Sequence, residues 1–147
     1  MIEALSEAVN DILGTFGISP KYSNAMKLES HIIEKSLCVV IGVVDRNGDK
    51  KGVLSFEFDK PVVLDLLAAM VPGIDVDVES EMGISAISEI ANMVTGKLLT
   101  KLGFVGMTTP PTGIIGQNMK GLLNTTYAYK ITYRWQNGSM AVTFSLT

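Results

Sequence analysis

The chain has 147 residues, 47% of them hydrophobic, and a net charge of −3 from 12 basic and 15 acidic side chains. This composition supplies one packed core, so we expect a single domain over 1–147, and the missing basic excess argues against nucleic-acid binding. Neither a signal-peptide pattern nor an apolar run of the ~20 residues that span a bilayer occurs, so we expect a cytoplasmic protein without membrane contact.

The first half of the chain begins with an amphipathic helix. Apolar residues at helical spacing predict this helix over 2–16, and the mixed segment 21–30 predicts a half-exposed strand. The continuous β-branched run 36–45 is typical of a central strand. An Asn-Gly turn then leads to a return strand over 51–58, in which apolar and polar residues alternate.

Two helices follow in the middle of the chain. Helical spacing predicts the first over 60–71, with a proline in its first turn, and the second over roughly 80–102. An acidic connector, 74–81, joins them, and Gly103 marks the end of the second helix. The plan so far is one helix, strands and two helices.

The remainder is predicted to return to strands. Residues 106–121 are rich in Gly, Thr and Pro and predict an irregular stretch with a short strand. Alternating aromatic residues predict a strand over 125–135, which a second Asn-Gly turn connects to 140–146. The whole pattern predicts an α+β fold in which helices cover a mainly antiparallel sheet.

The long helix has two different faces on a helical wheel. An apolar stripe should face the core, formed by Ile84, Ile87, Ala91, Val94 and Leu98. The opposite stripe carries Ser85, Glu89, Asn92 and Gly96. This second stripe has no lysine or arginine before Lys97, unlike an ordinary solvated face, so it is suited to entering a cleft on another protein.

Glu89 and Asn92 form a chemically useful pair because residues three apart project side by side from a helix. The carboxamide of Asn92 donates and accepts hydrogen bonds and is able to hold a water molecule, and the carboxylate of Glu89 is able to pair with a cation. Neither residue makes a convincing metal site alone. On spacing alone, a solvated helix face explains the pattern better than catalysis does.

Ser85-x3-Glu89-x2-Asn92 matches the [Asp/Ser]-x3-Glu-x2-Asn signature, so the chain resembles the CheC, CheX and FliY phosphatases. The helix segment ISEIANMVTGK, with Gly96 four residues after the asparagine, is similar to the helix of that family. The strand SLCVVIGVVD and the segment around Pro110 and Pro111 are also similar to CheX. One full motif in the chain favours CheX over CheC, which typically carries two.

The resemblance implies a hydrolase of chemotaxis, a form of two-component signalling, that removes the aspartyl phosphate from a CheY-like response regulator. It implies that Asn92 orients the attacking water and that Glu89 pairs with a lysine of the receiver domain. Ser85, Gly96 and Lys97 are implied at the edge of the contact. No metal or organic cofactor is implied on this chain, because Mg²⁺ is expected on the receiver.

A homodimer formed through the sheets is also implied by the resemblance. Either the strand 125–135 or the segment 106–121 is a candidate for the dimer edge, although the aromatic residues of 125–135 are equally typical of a packed hairpin face. Two alternatives to the enzyme remain open. One is a module that binds a receiver domain without turnover, and the other is a structural dimer unit in a signalling assembly.

Three further features of the sequence are not assigned to the site. Glu7 and Asn10 repeat the spacing of the motif in the first helix, which a chance match explains better than a second site. His31 is the only histidine and is expected at the surface or in a turn. Cys38 is the only cysteine and is expected to be a small buried hydrophobic residue.

Overall fold

The computed structural model describes residues 1–117, 120–123 and 127–146. Its helices are α1 (Ile2–Thr15), α2 (Lys60–Met70) and α3 (Glu81–Lys101). Its strands in the first part of the chain are β1 (Lys21–Leu28), β2 (His31–Ile33), β3 (Leu37–Asp45) and β4 (Lys51–Phe58). Those in the second part are β5 (Gly106–Thr108), β6 (Thr112–Ile115), β7 (Gly121–Leu123), β8 (Ala128–Trp135) and β9 (Gly138–Leu146).

Seven of these strands form one sheet in the order β1-β8-β9-β4-β3-β5, and β6 also pairs with β3. Every pairing in this sheet is antiparallel. The strands β2 and β7 form a separate two-stranded sheet. The predicted α+β fold with a mainly antiparallel sheet and helices packed on it is therefore confirmed.

The helices pack on one face of the large sheet. Side chains from α1, α2 and α3 join the inward side chains of the strands in one hydrophobic cluster, which includes Leu54, Phe56 and Phe58 of β4. The alternate residues Ser55 and Glu57 point to the other face. They are also buried, so β4 is covered on both faces from Leu54 onward.

The burial on this second face involves β2 and the turn after it. His31 is only 3% exposed, and its Nε2 lies 2.7 Å from Oε2 of Glu57. The expectation that His31 lies at the surface is therefore wrong, because its ring forms a buried pair with a carboxylate from a distant strand. Cys38 is buried as expected, and this burial, with a smaller effect of the charge on Glu57, raises the pKa of its thiol to about 12.

Local interactions determine where α3 begins and ends. The hydroxyl of Ser80 accepts a hydrogen bond from the backbone N–H of Gly83 at 3.2 Å, which caps the helix N-terminus. A Cβ on Gly83 would lie 2.6 Å from the carbonyl oxygen of Val78, so only glycine fits beneath the connector. At the other end Gly103 has φ +64°, a conformation that favours glycine and ends the helix.

The sheet order corrects one of the two candidate dimer edges. The strand predicted over 125–135 begins at Ala128, and Thr125 and Thr126 lie outside the described residues. It pairs with β1 on one side and β9 on the other, so it is not an edge strand. The segment 106–121 contributes β5 and β6 beside β3, at the border of the sheet, with 118 and 119 outside the described residues.

Candidate functional site

The candidate site lies on the outward face of α3. The apolar stripe is buried at Ile87, Ala91, Val94 and Leu98 and partly buried at Ile84. This packing determines the rotation of the helix about its axis. The opposite stripe is exposed at all four predicted positions: Ser85, Glu89, Asn92 and Gly96.

Glu89 and Asn92 are available for contact with another molecule. Both side chains are exposed, and they project from neighbouring turns of the same helix face. Within the described residues, neither side chain has a hydrogen bond or an ion pair. A carboxylate and a carboxamide that are unpaired and held side by side are able to accept a cation and to position a water molecule.

The carboxyl end of α3 carries the positive charge of this face. Lys97, predicted at the edge of the contact, is exposed, and its Nζ lies 3.9 Å from Oδ2 of Asp11 on α1. Lys101 lies closer, with its Nζ 3.2 Å from Asp11 and 3.3 Å from Glu7. The hydrogen bonds to Asp11 and Glu7 raise the pKa of Lys101. Lys97 is the less constrained of the two lysines.

The Glu7–Asn10 pattern of α1 differs from the α3 pair in its contacts. Glu7 and Asn10 are both exposed, like Glu89 and Asn92. However, the carboxylate of Glu7 is paired with Lys101. The α1 pattern therefore lacks an unpaired carboxylate, and the expectation that it has no catalytic role stays a prediction.

A groove lies directly beside Ser85 and Glu89. It has a volume of about 900 Å³ and runs between the end of α2, the connector and the first turns of α3. Sequence reasoning did not find this groove. The signal was present in the connector, where apolar residues such as Ile74 interrupt a run of acidic ones, but helical periodicity does not describe such a segment.

Within the part of the chain that the structure describes, no helix is long and apolar enough to cross a membrane. No three His, Cys, Asp or Glu side chains among the described residues converge as a metal-binding group. The expectation that this chain binds no metal or organic cofactor stays a prediction.

The sequence from residue 40 to 134 matches the family model described as "Chemotaxis phosphatase CheX". Over 123 residues the chain is 33% identical to the CheY-P phosphatase CheX of Thermotoga maritima. This alignment covers 82% of this chain and 76% of the relative. The chain belongs to the CheX family of chemotaxis phosphatases. The matched range includes α3 and with it all five predicted site residues.

Solved structures show the same CheX fold. A putative chemotaxis protein from Desulfovibrio vulgaris Hildenborough matches with a TM-score of 0.86 and 22% identity, over 99% of this chain and 95% of that one. The CheX–CheY–BeF3–Mg²⁺ complex from Borrelia burgdorferi contains a chain that matches with a TM-score of 0.73 and 20% identity. That match covers 99% of this chain and 96% of the other.

Proposed function

We propose that this CheX-family protein hydrolyses the aspartyl phosphate of a CheY-like receiver domain, with Asn92 and Glu89 as the catalytic pair. The observation that carries the proposal is the outward position of both side chains on α3, without partners in the described part of the chain. Two relatives support the choice of substrate. One is named a CheY-P phosphatase, and another was solved in a complex with CheY, BeF3 and Mg²⁺.

In this proposal Asn92 positions the water that attacks phosphorus. Transfer of a phosphoryl group to water depends mainly on in-line positioning and on neutralising charge. The carboxamide accepts a hydrogen bond from the water and donates one to a neighbouring oxygen, which restricts the water to one orientation. Because the buried stripe of α3 holds the helix in place, the backbone of Asn92 is positioned before the partner arrives, and only its side chain has to be ordered during the reaction.

Glu89 determines the register of docking. Its Cβ lies about 5–6 Å from that of Asn92, as expected for residues three apart on a helix. A lysine of the receiver that pairs with Glu89 thereby brings the phosphoryl group next to Asn92. Ser85, Gly96 and Lys97 lie before and after the pair on α3 and form the border of the contact. The receiver supplies the phosphorylated aspartate and the Mg²⁺ that neutralises its charge.

The chain is proposed to act as one domain in the cytoplasm, as a homodimer. The border of the sheet at β5 is a candidate for the contact between two copies, because Val105 and Met107 are exposed there and an edge strand has unpaired backbone groups. Sedimentation of the wild type and of Met107→Lys tests this point. A wild-type monomer, or a dimer unaffected by the substitution, would contradict the proposed edge.

The test of the function is release of inorganic phosphate from several phosphorylated receiver domains. We expect wild type to accelerate release, and Asn92→Ala to remove the acceleration while unfolding at the wild-type temperature. Asn10→Ala is the matched control, since Asn10 is an exposed asparagine at the same spacing on α1. Equal acceleration by wild type and Asn92→Ala would refute the catalytic assignment. Binding of a receiver by wild type with no acceleration of release would favour a module that binds receivers without turnover.

A further inference from the structure

The groove beside the catalytic pair is lined by exposed apolar side chains as well as by acidic ones. Ile74 of the connector is 58% exposed and Met82 of α3 is 55% exposed, and both line the groove. Met70, Val71 and Ala86 extend this apolar lining. A concave surface lined by apolar side chains with a few polar groups is the usual form of a binding site.

The charge of the groove has a single sign. Four carboxylates line it, from Asp75, Asp77, Glu81 and Glu89, and no lysine, arginine or histidine is among its lining residues. The carboxylate of Asp77 already has a partner within the connector, because its Oδ1 accepts a hydrogen bond from the backbone N–H of Glu79 at 3.0 Å. Asp75 and Glu81 are exposed and have no ion pair within the described residues.

The groove and the catalytic pair form one continuous surface with a charge gradient. Ser85 and Glu89 belong to both, since they line the groove and lie on the outward face of α3. Acidic groups dominate the start of this surface, whereas at its far end Lys97 and Lys101 are paired with Asp11 and Glu7 of α1. A phosphoryl group is repelled most strongly from the acidic end, so the decrease in negative charge along the surface orients a phosphorylated partner.

We propose that this groove binds a segment of the receiver domain, next to its phosphorylation site, that combines an apolar side chain with a lysine or arginine. The apolar side chain covers Ile74 and Met82, and the cation pairs with Asp75 and Glu81. The groove thereby selects which receivers are substrates, while Glu89 and Asn92 perform the chemistry. This inference rests on the proposed function and adds the partner selectivity of that same site.

The test compares steady-state kinetics of two double variants with the same change in charge. Asp75→Asn with Glu81→Gln removes two charges from the groove. Asp65→Asn with Glu3→Gln removes two exposed charges outside the groove, and Glu3 lies in the first turn of α1 as Glu81 does in α3. We expect the groove variant to raise KM about ten-fold, equivalent to about 1.4 kcal/mol, with kcat unchanged.

Salt and apolar substitutions provide two further readouts. The KM of wild type should rise with ionic strength, and that of the groove variant should rise less, because screening acts on the charges removed. Met82→Ser should also raise KM, whereas Leu64→Ser, at an exposed apolar residue of α2 outside the groove, should not.

The outcomes separate this inference from the proposed function. If wild type accelerates phosphate release but the groove variants keep the wild-type KM, the groove inference fails and the function stands. If Met82→Ser changes self-association in sedimentation experiments and leaves KM unchanged, a second copy of the chain occupies the groove and the inference is overturned. If wild type accelerates release from no receiver, both proposals fail.

Discussion

Glu57 and His31 form a buried pair in which Oε2 of the carboxylate lies 2.7 Å from Nε2 of the imidazole, although 26 residues separate them in the chain. The other carboxylate oxygen, Oε1, accepts hydrogen bonds from the backbone N–H groups of Glu34 at 2.9 Å and Lys35 at 3.4 Å. An ionised carboxylate only accepts hydrogen bonds, so Nε2 of His31 carries a hydrogen and its N–H donates the hydrogen bond to Glu57. The pair attaches the segment from β2 to Lys35 to strand β4.

Removing the imidazole should destabilise the protein strongly. His31→Ala leaves the carboxylate of Glu57 in the interior without its side-chain partner, and loss of one member of a buried pair costs about 3–5 kcal/mol. The free energy of unfolding in urea at neutral pH measures this loss. Glu34→Ala is the control, since only the backbone of Glu34 contacts Glu57, and its stability should be close to that of wild type.

The same carboxylate should make stability depend on acid pH. Burial alone raises the pKa of Glu57, but the hydrogen bonds from His31, Glu34 and Lys35 outweigh this effect and hold the pKa below the ordinary value of 4.5. Because the folded pKa is the lower one, the stabilisation is complete above the unfolded pKa and is lost as pH falls through the folded pKa.

Unfolding measured from neutral pH down to below the ordinary pKa of a glutamate checks this dependence. Wild type should lose stability more steeply than Glu57→Gln in the acid range, since the amide has no proton to take up there. Identical slopes for the two proteins would contradict the lowered pKa of Glu57.

Neutralising Glu89 should lower kcat/KM without lowering the stability of the fold. Glu89→Gln keeps the size of the side chain and removes the charge proposed to pair with the receiver's lysine. A hydrogen bond to a charged group contributes about 1.5–3 kcal/mol, so kcat/KM should fall about 10- to 100-fold. Glu7→Gln on α1 is the matched control, and an equal loss of activity there would show that the effect is not specific to α3.

Adding a methyl group at Gly96 should separate stability from activity. Gly96 is exposed within α3, and a Cβ built there has no atom within 4 Å apart from its chain neighbours and the adjacent backbone of the helix. Alanine should therefore stabilise the helix by about 0.5–1 kcal/mol, because glycine is the poorer helix former. If the receiver approaches the helix closely at this point, kcat/KM should nevertheless fall.

The contrasting variant is Gly83→Ala in the same helix. A Cβ there would contact the backbone of Val78 and Asp77 at less than 3 Å, so this variant should lose stability. Thermal unfolding together with phosphate release distinguishes the two cases. Full activity of a stabilised Gly96→Ala protein would remove Gly96 from the proposed contact.

Several local features of the fold were predictable from the sequence because they depend on neighbouring residues. The apolar spacing of α3 identified both its buried stripe and its exposed one, and the bounds of the helix differ from the prediction by about one residue. Both Asn-Gly turns connect paired strands, β3 to β4 and β8 to β9. Such features follow from periodicity and turn chemistry, which act over a few residues.

Other features depend on residues far apart in the chain, and the sequence alone did not reveal them. The interior position of β8 follows from the pairing of β1, more than 100 residues earlier, with Arg134 and its neighbours. A strand's own residues do not specify which strands lie beside it, and for this reason 125–135 was wrongly considered as an edge. The burial of His31 has the same origin, since Glu57 comes from another strand.

By itself, the sequence determined the order of helices and strands and the outward face of α3 that carries Glu89 and Asn92, because each is encoded by the spacing of residues within one element. Only the tertiary structure decided the order of strands in the sheet, the burial of His31 against Glu57, and the acidic groove beside Glu89. Those features arise from contacts between segments that are distant in the chain, and local residue patterns do not specify such contacts.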